Sequence, residues 1–300
     1  MLGKILITGG CGFIGKSLAH ALLQRRFEVV VVDKNTAKIG NVLDGALVIE
    51  GDVCNKEMWR TIPSCDYIFH LAAPSSVILF DTDMDNCIQN TTVGLMHAFA
   101  WARKNNVKKL IYPSSGSIFG KNNADCTEET IPEPVNSYGK TKLICEYIGK
   151  TYTDVVPNLG LRIFAGYGPQ EDQKGAIASV VTLFIKDMLA GISPTIFGDG
   201  SQTRDFVYID DIVDIMLLVM NNQTEGVLNV GSGMSTSFSQ VVALINNQLG
   251  THIAPTYISK PKKYLEKTAC NPARLRQLLG RKTITLDQGI RSYLKLMGEL

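Results

Sequence analysis

A tyrosine and a lysine four residues apart, Tyr138 and Lys142, form the pair of side chains best suited to chemistry in this sequence. On a helix, residues at this spacing lie on the same face, one turn apart. A phenol with its reference pKa of about 10 is a poor base at neutral pH, but a fixed ammonium beside it favours the phenolate. The pair therefore suits proton transfer with an alcohol or a carbonyl. Taken alone, the spacing also fits a surface tyrosine beside a solvated lysine.

Three glycines near the N-terminus predict a binding loop for a dinucleotide. Gly9, Gly12 and Gly15 separate an apolar strand at residues 4–8 from a helix predicted over residues 13–26. Glycine permits the tight turn and the close approach of a pyrophosphate, and the N-terminus of the helix attracts phosphate. A plain strand-to-helix turn would show the same glycines, so the loop needs a second signal.

Asp33 supplies that second signal at the end of the next predicted strand. A carboxylate there accepts hydrogen bonds from the ribose hydroxyls of NAD and repels the 2′-phosphate of NADP. We therefore expect NAD, although Lys34 weakens the preference. Cys11, inside the glycine loop, is interpreted as a small tolerated side chain, with a redox-sensitive thiol as the alternative.

Strands and helices alternate through the first half of the chain, which is typical of a Rossmann-type, doubly wound parallel α/β sheet. Strands are predicted at 4–8, 28–33, 46–50, 67–71, 109–113 and 159–163, and helices at 13–26, 56–61, 86–105 and 137–151. Later strands are predicted at 195–197 and 227–230, and helices at 210–221, 238–248 and 272–279. We expect a dinucleotide-binding domain over residues 1–164 and a smaller α/β lobe over residues 165–300.

Composition excludes several classes of function. The net charge is +2, with 30 basic and 28 acidic residues and no block of like charge, so neither nucleic acid nor a membrane surface is an expected partner. No apolar run is long enough to span a bilayer. Seven scattered cysteines without a C-x-x-C motif indicate a reduced, cytoplasmic setting. Four histidines show no metal-ligand spacing, so no metal is expected.

Taken together, the motifs of this chain resemble those of the extended short-chain dehydrogenase/reductase family, in its NAD-dependent nucleotide-sugar epimerase/dehydratase branch. The resemblance covers residues 3 to about 280. The matching motifs are TGGCGFIG at 8–15, GDV at 51–53, HLAA at 70–73, Asn90 with Gly94, Ser114–Ser115, Tyr138-x-x-x-Lys142 and GDGSQTRDFV at 198–207.

This resemblance implies roles for individual residues. Ser115, Tyr138 and Lys142 would be catalytic: Tyr138 as the base, Ser115 bonded to the same sugar oxygen, and Lys142 also bonded to the nicotinamide ribose. The implied NAD contacts are Gly9, Gly12, Phe13, Ile14, Gly15, Asp33, Lys34, Asp52, Val53, Leu71, Ala72, Ala73, Asn90, Ser114, Tyr138, Lys142 and Phe164. The implied substrate contacts are Ser75, Ser115, Ser117, Tyr138, Ala165, Val180, Arg204 and Lys263, with Arg204 on the phosphates.

The segment after Ser115 indicates which reaction follows. Members of this branch first oxidise a nucleotide sugar to a 4-keto intermediate, and the 4,6-dehydratases carry an Asp-Glu pair after the catalytic Ser or Thr. This chain has Gly116 and Ser117 there. Each missing acid or base would cost water elimination a factor of about 10²–10⁴. We therefore expect epimerisation at carbon 4 of a UDP-hexose or UDP-hexuronate. The resemblance also implies a homodimer formed through the helices at 86–105 and 137–151, although the apolar residues of these helices fit an internal core equally well.

Other interpretations stay open. A dehydratase could use acid or base groups from the next loop, such as Cys126 or Glu128. A non-catalytic NAD-binding or RNA-binding protein and an NADP-linked reductase are further alternatives. Two departures from the family pattern bear on the sugar and the nucleotide. Ala165 stands where an asparagine is common, and residues 260–264 contain lysines where an arginine is common.

Overall fold

The structure is a computed structural model that describes residues 3–38, 43–120, 125–260 and 265–299. In chain order, its helices and strands are β1 (Lys4–Thr8), α1 (Phe13–Gln24), β2 (Glu28–Asp33), β3 (Leu47–Glu50), β4 (Tyr67–His70), α2 (Val77–Thr82), α3 (Met84–Lys104), β5 (Lys109–Ser115), α4 (Ser137–Tyr152), β6 (Asn158–Ile163), β7 (Ala165–Tyr167), α5 (Val180–Leu189), β8 (Thr195–Phe197), β9 (Thr203–Tyr208), α6 (Ile209–Met220), β10 (Gly226–Val230), β11 (Ser235–Ser237), α7 (Phe238–Leu249), β12 (Thr256–Ile258), α8 (Ala273–Leu279) and α9 (Leu286–Met297).

A large sheet confirms the predicted fold class. In the described part of the chain its strand order is β10-β6-β5-β4-β1-β2-β3. The pairings from β3 through β2, β1 and β4 to β5 are parallel. The strand order reverses at β1, between β2 and β4, and open α/β sheets bind their ligands at such a switch point, beyond the carboxyl ends of the strands.

Burial on both faces explains why the central strands carry continuous apolar runs. In β2, all four valines of Val29–Val32 are buried, whereas Glu28 at the start is exposed. The helix α1 buries Phe13, Leu18 and Leu22, which repeat at helical spacing. These two elements place the glycine loop and Asp33 at the same end of the sheet.

The chain divides into two compact units. Unit 1 comprises Met1–Ile118, Asn136–Arg162 and Val213–Leu228, and unit 2 comprises Phe119–Val135, Ile163–Ile212 and Asn229–Leu300. The core of unit 1 includes Phe99 stacked on Tyr152, with their ring centroids 4.5 Å apart. Unit 2 contains the sheet β11-β9-β7 and the ribbon β12-β8. The predicted boundary at residue 164 stays a prediction.

The predicted helix at residues 56–61 differs from the structure, which has only a 3₁₀ turn over Met58–Arg60. The indole of Trp59 donates to the carbonyl oxygen of Val53 at 2.9 Å, and this contact holds the segment against the preceding loop. Among the described helices, none combines the length and apolar character needed to cross a bilayer.

Candidate active site

The helix α4 carries both members of the tyrosine–lysine pair. It begins at Ser137, and the side chain of Asn136 caps it by accepting from the backbone N–H of Gly139 at 2.8 Å. An asparagine cap satisfies one of the N–H groups that a helix start leaves unpaired. The cap fixes the first turn, and therefore the position of Tyr138 within it.

Lys142 lies one turn further along α4 and faces Tyr138. Its Nζ is 5.8 Å from the centroid of the tyrosine ring and donates to the carbonyl oxygen of Pro113 at 3.1 Å. The lysine side chain is buried, while Tyr138 is half-buried. The structure thus brings the pair together and ties its cation to strand β5.

Ser115 ends β5, two residues beyond that carbonyl. It is buried, and its Oγ accepts from the backbone N–H of Ser117 at 3.1 Å. Gly116 and Ser117 are the first two residues of the short 3₁₀ turn Gly116–Phe119. Neither of these two residues carries a carboxylate. The adjacent Ser114 contacts a different group: its hydroxyl donates to Glu146 Oε1 at 2.5 Å.

Phe80, on α2, is a neighbour of Tyr138 that the sequence analysis missed. The two rings meet edge to face with centroids 5.5 Å apart, and Phe80 is fully buried. The cap of α2 is Ser76, whose side chain accepts from the N–H of Ile78 at 3.1 Å. Ser75, a predicted substrate contact, is exposed just before this cap.

Two glycines of the loop, Gly9 and Gly15, have no room for a side chain. A Cβ at Gly9 would lie 2.6 Å from the backbone nitrogen of Ala72, and Gly9 has a φ of +70°. A Cβ at Gly15 would lie 2.3 Å from the carbonyl oxygen of Gly9. Gly12 is the N-cap of α1 and supplies no side-chain cap, so a ligand phosphate fits the helix start. Phe13 and Ile14 form the first turn of that helix.

Asp33 reaches from the end of β2 to the glycine loop. Its Oδ2 accepts from the N–H of Cys11 at 3.0 Å, and its Oδ1 accepts from the N–H of Asn35 at 2.9 Å. Burial raises the pKa of the Cys11 thiol to about 12, so it stays protonated at neutral pH. This supports the interpretation of Cys11 as a small packed side chain. The loop and the carboxylate together fit a dinucleotide with a free ribose.

The end of β4 is held by a buried histidine. Thr8 Oγ1 lies 2.9 Å from His70 Nδ1 and accepts from the N–H of Ala72 at 3.4 Å. Burial, helped by the positive charge of Lys142, lowers the pKa of His70 to about 3. A neutral His70 therefore joins β1 to β4 and places Leu71–Ala73 beside Gly9.

The predicted adenine-side residues lie on neighbouring segments. Asp52 Oδ1 accepts from the N–H of Cys54 at 2.8 Å, which shapes the loop after β3. A Cβ at Gly94 would approach Val53 Cγ2 to 2.7 Å, so α3 packs closely on this loop. Asn90, one turn before Gly94, donates to the Asn86 carbonyl oxygen at 2.8 Å. Lys34 is exposed beyond β2.

The remaining predicted contacts belong to unit 2. Phe164 stacks on Phe119 with ring centroids 6.2 Å apart. The guanidinium of Arg204 lies 5.4 Å from the centre of the Phe238 ring, and its Nη1 donates to the carbonyl oxygen of Thr203 at 2.8 Å. Ala165 starts β7, Val180 starts α5, and both are half-buried. Lys263 lies outside the described residues.

The two groups that an alternative dehydratase could use have structural contacts within unit 2. Glu128 Oε1 accepts from the N–H of Asn229 at 2.9 Å. Cys126 is buried, and its backbone forms an isolated parallel β-bridge with the backbone of Cys270. Within the described ranges, no group of three or more His, Cys, Asp or Glu side chains could hold a metal ion.

Comparisons with known proteins agree with this geometry. Residues 5–231 match the NAD dependent epimerase/dehydratase family. A UDP-glucose 4-epimerase from Thermotoga maritima, solved with UDP-glucose, is 30% identical over 98% of each chain, with a TM-score of 0.92. A UDP-N-acetylglucosamine 4-epimerase from Methanobrevibacter ruminantium is 26% identical, covers 100% of this chain and 99% of its own, and has a TM-score of 0.91. An ADP-L-glycero-D-manno-heptose-6-epimerase from Alkalilimnicola ehrlichii is 29% identical over 98% of each chain.

Proposed function

Because the chain belongs to the NAD dependent epimerase/dehydratase family, we propose that it is a nucleotide-sugar 4-epimerase, with a UDP-hexose or UDP-hexuronate as substrate. The observation that carries the proposal is the arrangement at the end of β5. The Tyr138–Lys142 pair is tied there to the strand that ends in Ser115, and Gly116 and Ser117 follow without a carboxylate.

In this proposal, Tyr138 exchanges the proton of the 4-hydroxyl through its phenol oxygen. The ammonium of Lys142 stabilises the charge on that oxygen, and its hydrogen bond to Pro113 keeps it in place. The hydroxyl of Ser115 donates to the sugar oxygen and stabilises the negative charge that develops on that oxygen. Bound NAD⁺ supplies reversible two-electron oxidation of the sugar carbon. Epimerisation needs no further acid or base, which agrees with Gly116 and Ser117.

The cofactor contacts proposed for unit 1 follow the same geometry. The glycine loop and the start of α1 would hold the pyrophosphate, and Asp33 would accept from the ribose hydroxyls. Lys34, Asp52, Val53, Leu71–Ala73, Asn90 and Ser114 are further proposed cofactor contacts in unit 1. Phe164 is a proposed cofactor contact in unit 2. Ser75, Ser117, Ala165, Val180, Arg204 and Lys263 are proposed substrate contacts.

The direct test is product analysis with purified protein. UDP-glucose, UDP-galactose, their N-acetyl forms and UDP-glucuronate are incubated separately, and the products are identified by NMR and mass spectrometry. A 4-epimer of unchanged mass is the expected product. The absence of any epimer while NAD is bound would refute the proposal, and a product lighter by one water would favour a dehydratase.

The matched variants are Tyr138→Phe and Tyr147→Phe, since both tyrosines belong to α4 and Tyr147 is exposed. Tyr138→Phe should lower kcat by about 10²–10⁴-fold while NAD binding stays near the wild-type level. Tyr147→Phe should leave kcat unchanged. Near-normal turnover by Tyr138→Phe would show that another group is the base.

A second candidate substrate is an ADP-heptose, acted on at carbon 6. The likeness to the heptose epimerase favours it, since that relative is about as similar to this chain as the UDP-sugar epimerases are. The same assay with ADP-heptose distinguishes the two, because only one nucleotide sugar should show saturable turnover at low substrate concentration.

We also propose a homodimer and a cytoplasmic location. Ile144 on α4 and Met96 on α3 are exposed apolar side chains on helices that pack together, and a partner could cover them. Light scattering tests the dimer, and a monomer at micromolar concentration would contradict it. All seven cysteines are free thiols, which supports a reducing compartment.

A further inference from the structure

A buried ion pair lies within unit 1 next to the proposed catalytic residues. Arg162, near the end of β6, donates from Nε to Glu146 Oε1 and from Nη2 to Glu146 Oε2, both at 2.9 Å. Ser114 donates to the same Oε1 at 2.5 Å. The exposed fractions are 9% for Glu146, 4% for Arg162 and 2% for Ser114. One carboxylate thus joins α4 to two adjacent strands.

This carboxylate has a direct geometric relation to each proposed catalytic residue. Glu146 follows Lys142 by four positions on α4, and Tyr138 precedes Lys142 by four, so the three residues share one helix face. Its partner Ser114 is bonded covalently to Ser115. A second link joins the same helix and strand, since Lys142 donates to Pro113.

A stabilising role alone does not account for this arrangement. Burying two charges costs desolvation, and apolar residues of similar size often stabilise a fold as well or better. A bidentate guanidinium–carboxylate pair does have strict directional requirements. It therefore fixes both the distance and the register of α4 relative to β5 and β6, which loosely directional apolar contacts would leave adjustable.

We propose that Glu146 is a positioning residue, which through Arg162 and Ser114 sets the register of α4 so that Tyr138 and Lys142 face Ser115. The inference rests on the proposed function, because it assigns Glu146 a role in placing those three groups. Glu146 itself is assigned no contact with substrate or NAD.

The informative variant removes both charges. Glu146→Gln alone removes the carboxylate charge that faces the buried guanidinium of Arg162, so strong destabilisation is its expected result. The double variant Glu146→Leu/Arg162→Met replaces the ion pair with apolar side chains but leaves the Ser114 hydroxyl without its acceptor. It should stay folded, with a melting temperature moderately below that of the wild type. Its kcat should fall about 10²-fold, as expected for a displacement of about 1 Å at the reacting groups, while KM changes little. The basic limb of its kcat–pH profile should also move. Lys142 Nζ is held by Pro113 on β5 while Tyr138 moves with α4, so a shift of α4 along β5 changes the distance from the ammonium to the phenol.

The matched control is Glu28→Leu/Lys4→Met, which removes a pair in unit 1 with a distance of 3.0 Å between Lys4 Nζ and Glu28 Oε2, at a partly solvent-exposed position. It should leave kcat and the pH profile unchanged. A folded Glu146→Leu/Arg162→Met protein with wild-type kcat and pH profile would overturn the proposal, because the pair would then be purely structural.

Hydrogen exchange separates this proposal from the proposed function. Amide exchange in α4 should be faster in the double variant, relative to the control, whether or not a substrate is known. If the wild type turns over no nucleotide sugar, the proposed function fails, and unchanged exchange in α4 would then overturn the positioning role as well. Faster exchange confined to α4, β5 and β6 would support it.

Discussion

Replacing Gly15 with alanine would place a methyl group 2.3 Å from the carbonyl oxygen of Gly9 and 2.7 Å from the Cα of Gly10. Both atoms belong to backbone, so no side-chain rotation can relieve the contact. Ordinary contact between packed heavy atoms needs about 3.5 Å, so the glycine loop must retreat by about 1 Å. The loop that we propose for the pyrophosphate is the segment that would move.

The expected loss of folding stability in Gly15→Ala is the balance of two opposing effects. Overpacking a rigid site costs about 1–3 kcal/mol, and the backbone contact places Gly15→Ala at the upper end. Alanine inside a helix gains about 0.5–1 kcal/mol over glycine, which offsets part of this cost. We expect a net destabilisation of about 2 kcal/mol, and a loss of NAD affinity of at least about tenfold, which corresponds to 1.4 kcal/mol.

Gly12→Ala is the matched comparison, because its Cβ would meet only Gly9 O at 3.2 Å. This contact is tight, but a small shift of a few tenths of an ångström can relieve it. Melting temperature without NAD should therefore fall for Gly15→Ala and stay near the wild-type value for Gly12→Ala. NAD titration by calorimetry should show weaker binding for both variants. A Gly15→Ala protein with wild-type stability and wild-type NAD affinity would refute the reasoning.

Three further predictions concern buried side chains in unit 1. His70 has a folded pKa of about 3 against 6.5 when unfolded, so the unfolded state alone takes up a proton as the pH falls below 6.5. The contribution of His70 to the free energy of unfolding should be constant well above pH 6.5 and lower by about 2 kcal/mol at pH 5. The melting temperature of His70→Asn should therefore decline less steeply as the pH falls. A decline equal to that of the wild type would contradict a neutral, buried His70. Phe80→Leu removes an aromatic contact of about 1 kcal/mol with Tyr138, and kinetics should show a lower kcat with little change in NAD affinity. Lys109 donates to the carbonyl oxygens of Val219 and Asn222 at the end of α6. Lys109→Met should destabilise the fold by about 2 kcal/mol in urea titration, and no change would show that water replaces the lysine.

Much of the fold could be predicted because the central strands carry uninterrupted apolar runs. The bounds of β1 and β2 agree with the predicted residues 4–8 and 28–33. The helix α9 was missed, although a signal was present. Thr285 and Gln288 form a capping box just before apolar residues at helical spacing. The missed α5 begins in a short, mostly apolar segment interrupted by Thr182, and so short a segment does not distinguish a helix from a strand.

The candidate site could be predicted only where its residues are close in sequence. Tyr138 and Lys142 share a helix, so their spacing was informative, and the structure places the ammonium by the ring. Glu146 and Arg162 lie on different elements, and charged residues are mostly exposed, so nothing local indicated a buried pair. Phe80 approaches Tyr138 from a six-residue helix that has no clear periodicity.

The order in which the strands appear along the chain has a consequence for biosynthesis. The sheet ends in β10, Gly226–Val230, which pairs beside β6, although β6 is complete at Ile163. Residues Ile163–Ile212 of unit 2 therefore leave the ribosome before the open edge of β6 meets its partner. Until β10 is made, β6 has unpaired backbone N–H and C=O groups along one edge, although it is buried in the folded protein. Such an edge can pair with strands of other chains. A fragment ending at residue 164 would keep the unpaired edge of β6 permanently. Because unit 1 includes Val213–Leu228, it can complete its fold only after most of the polypeptide has been synthesised.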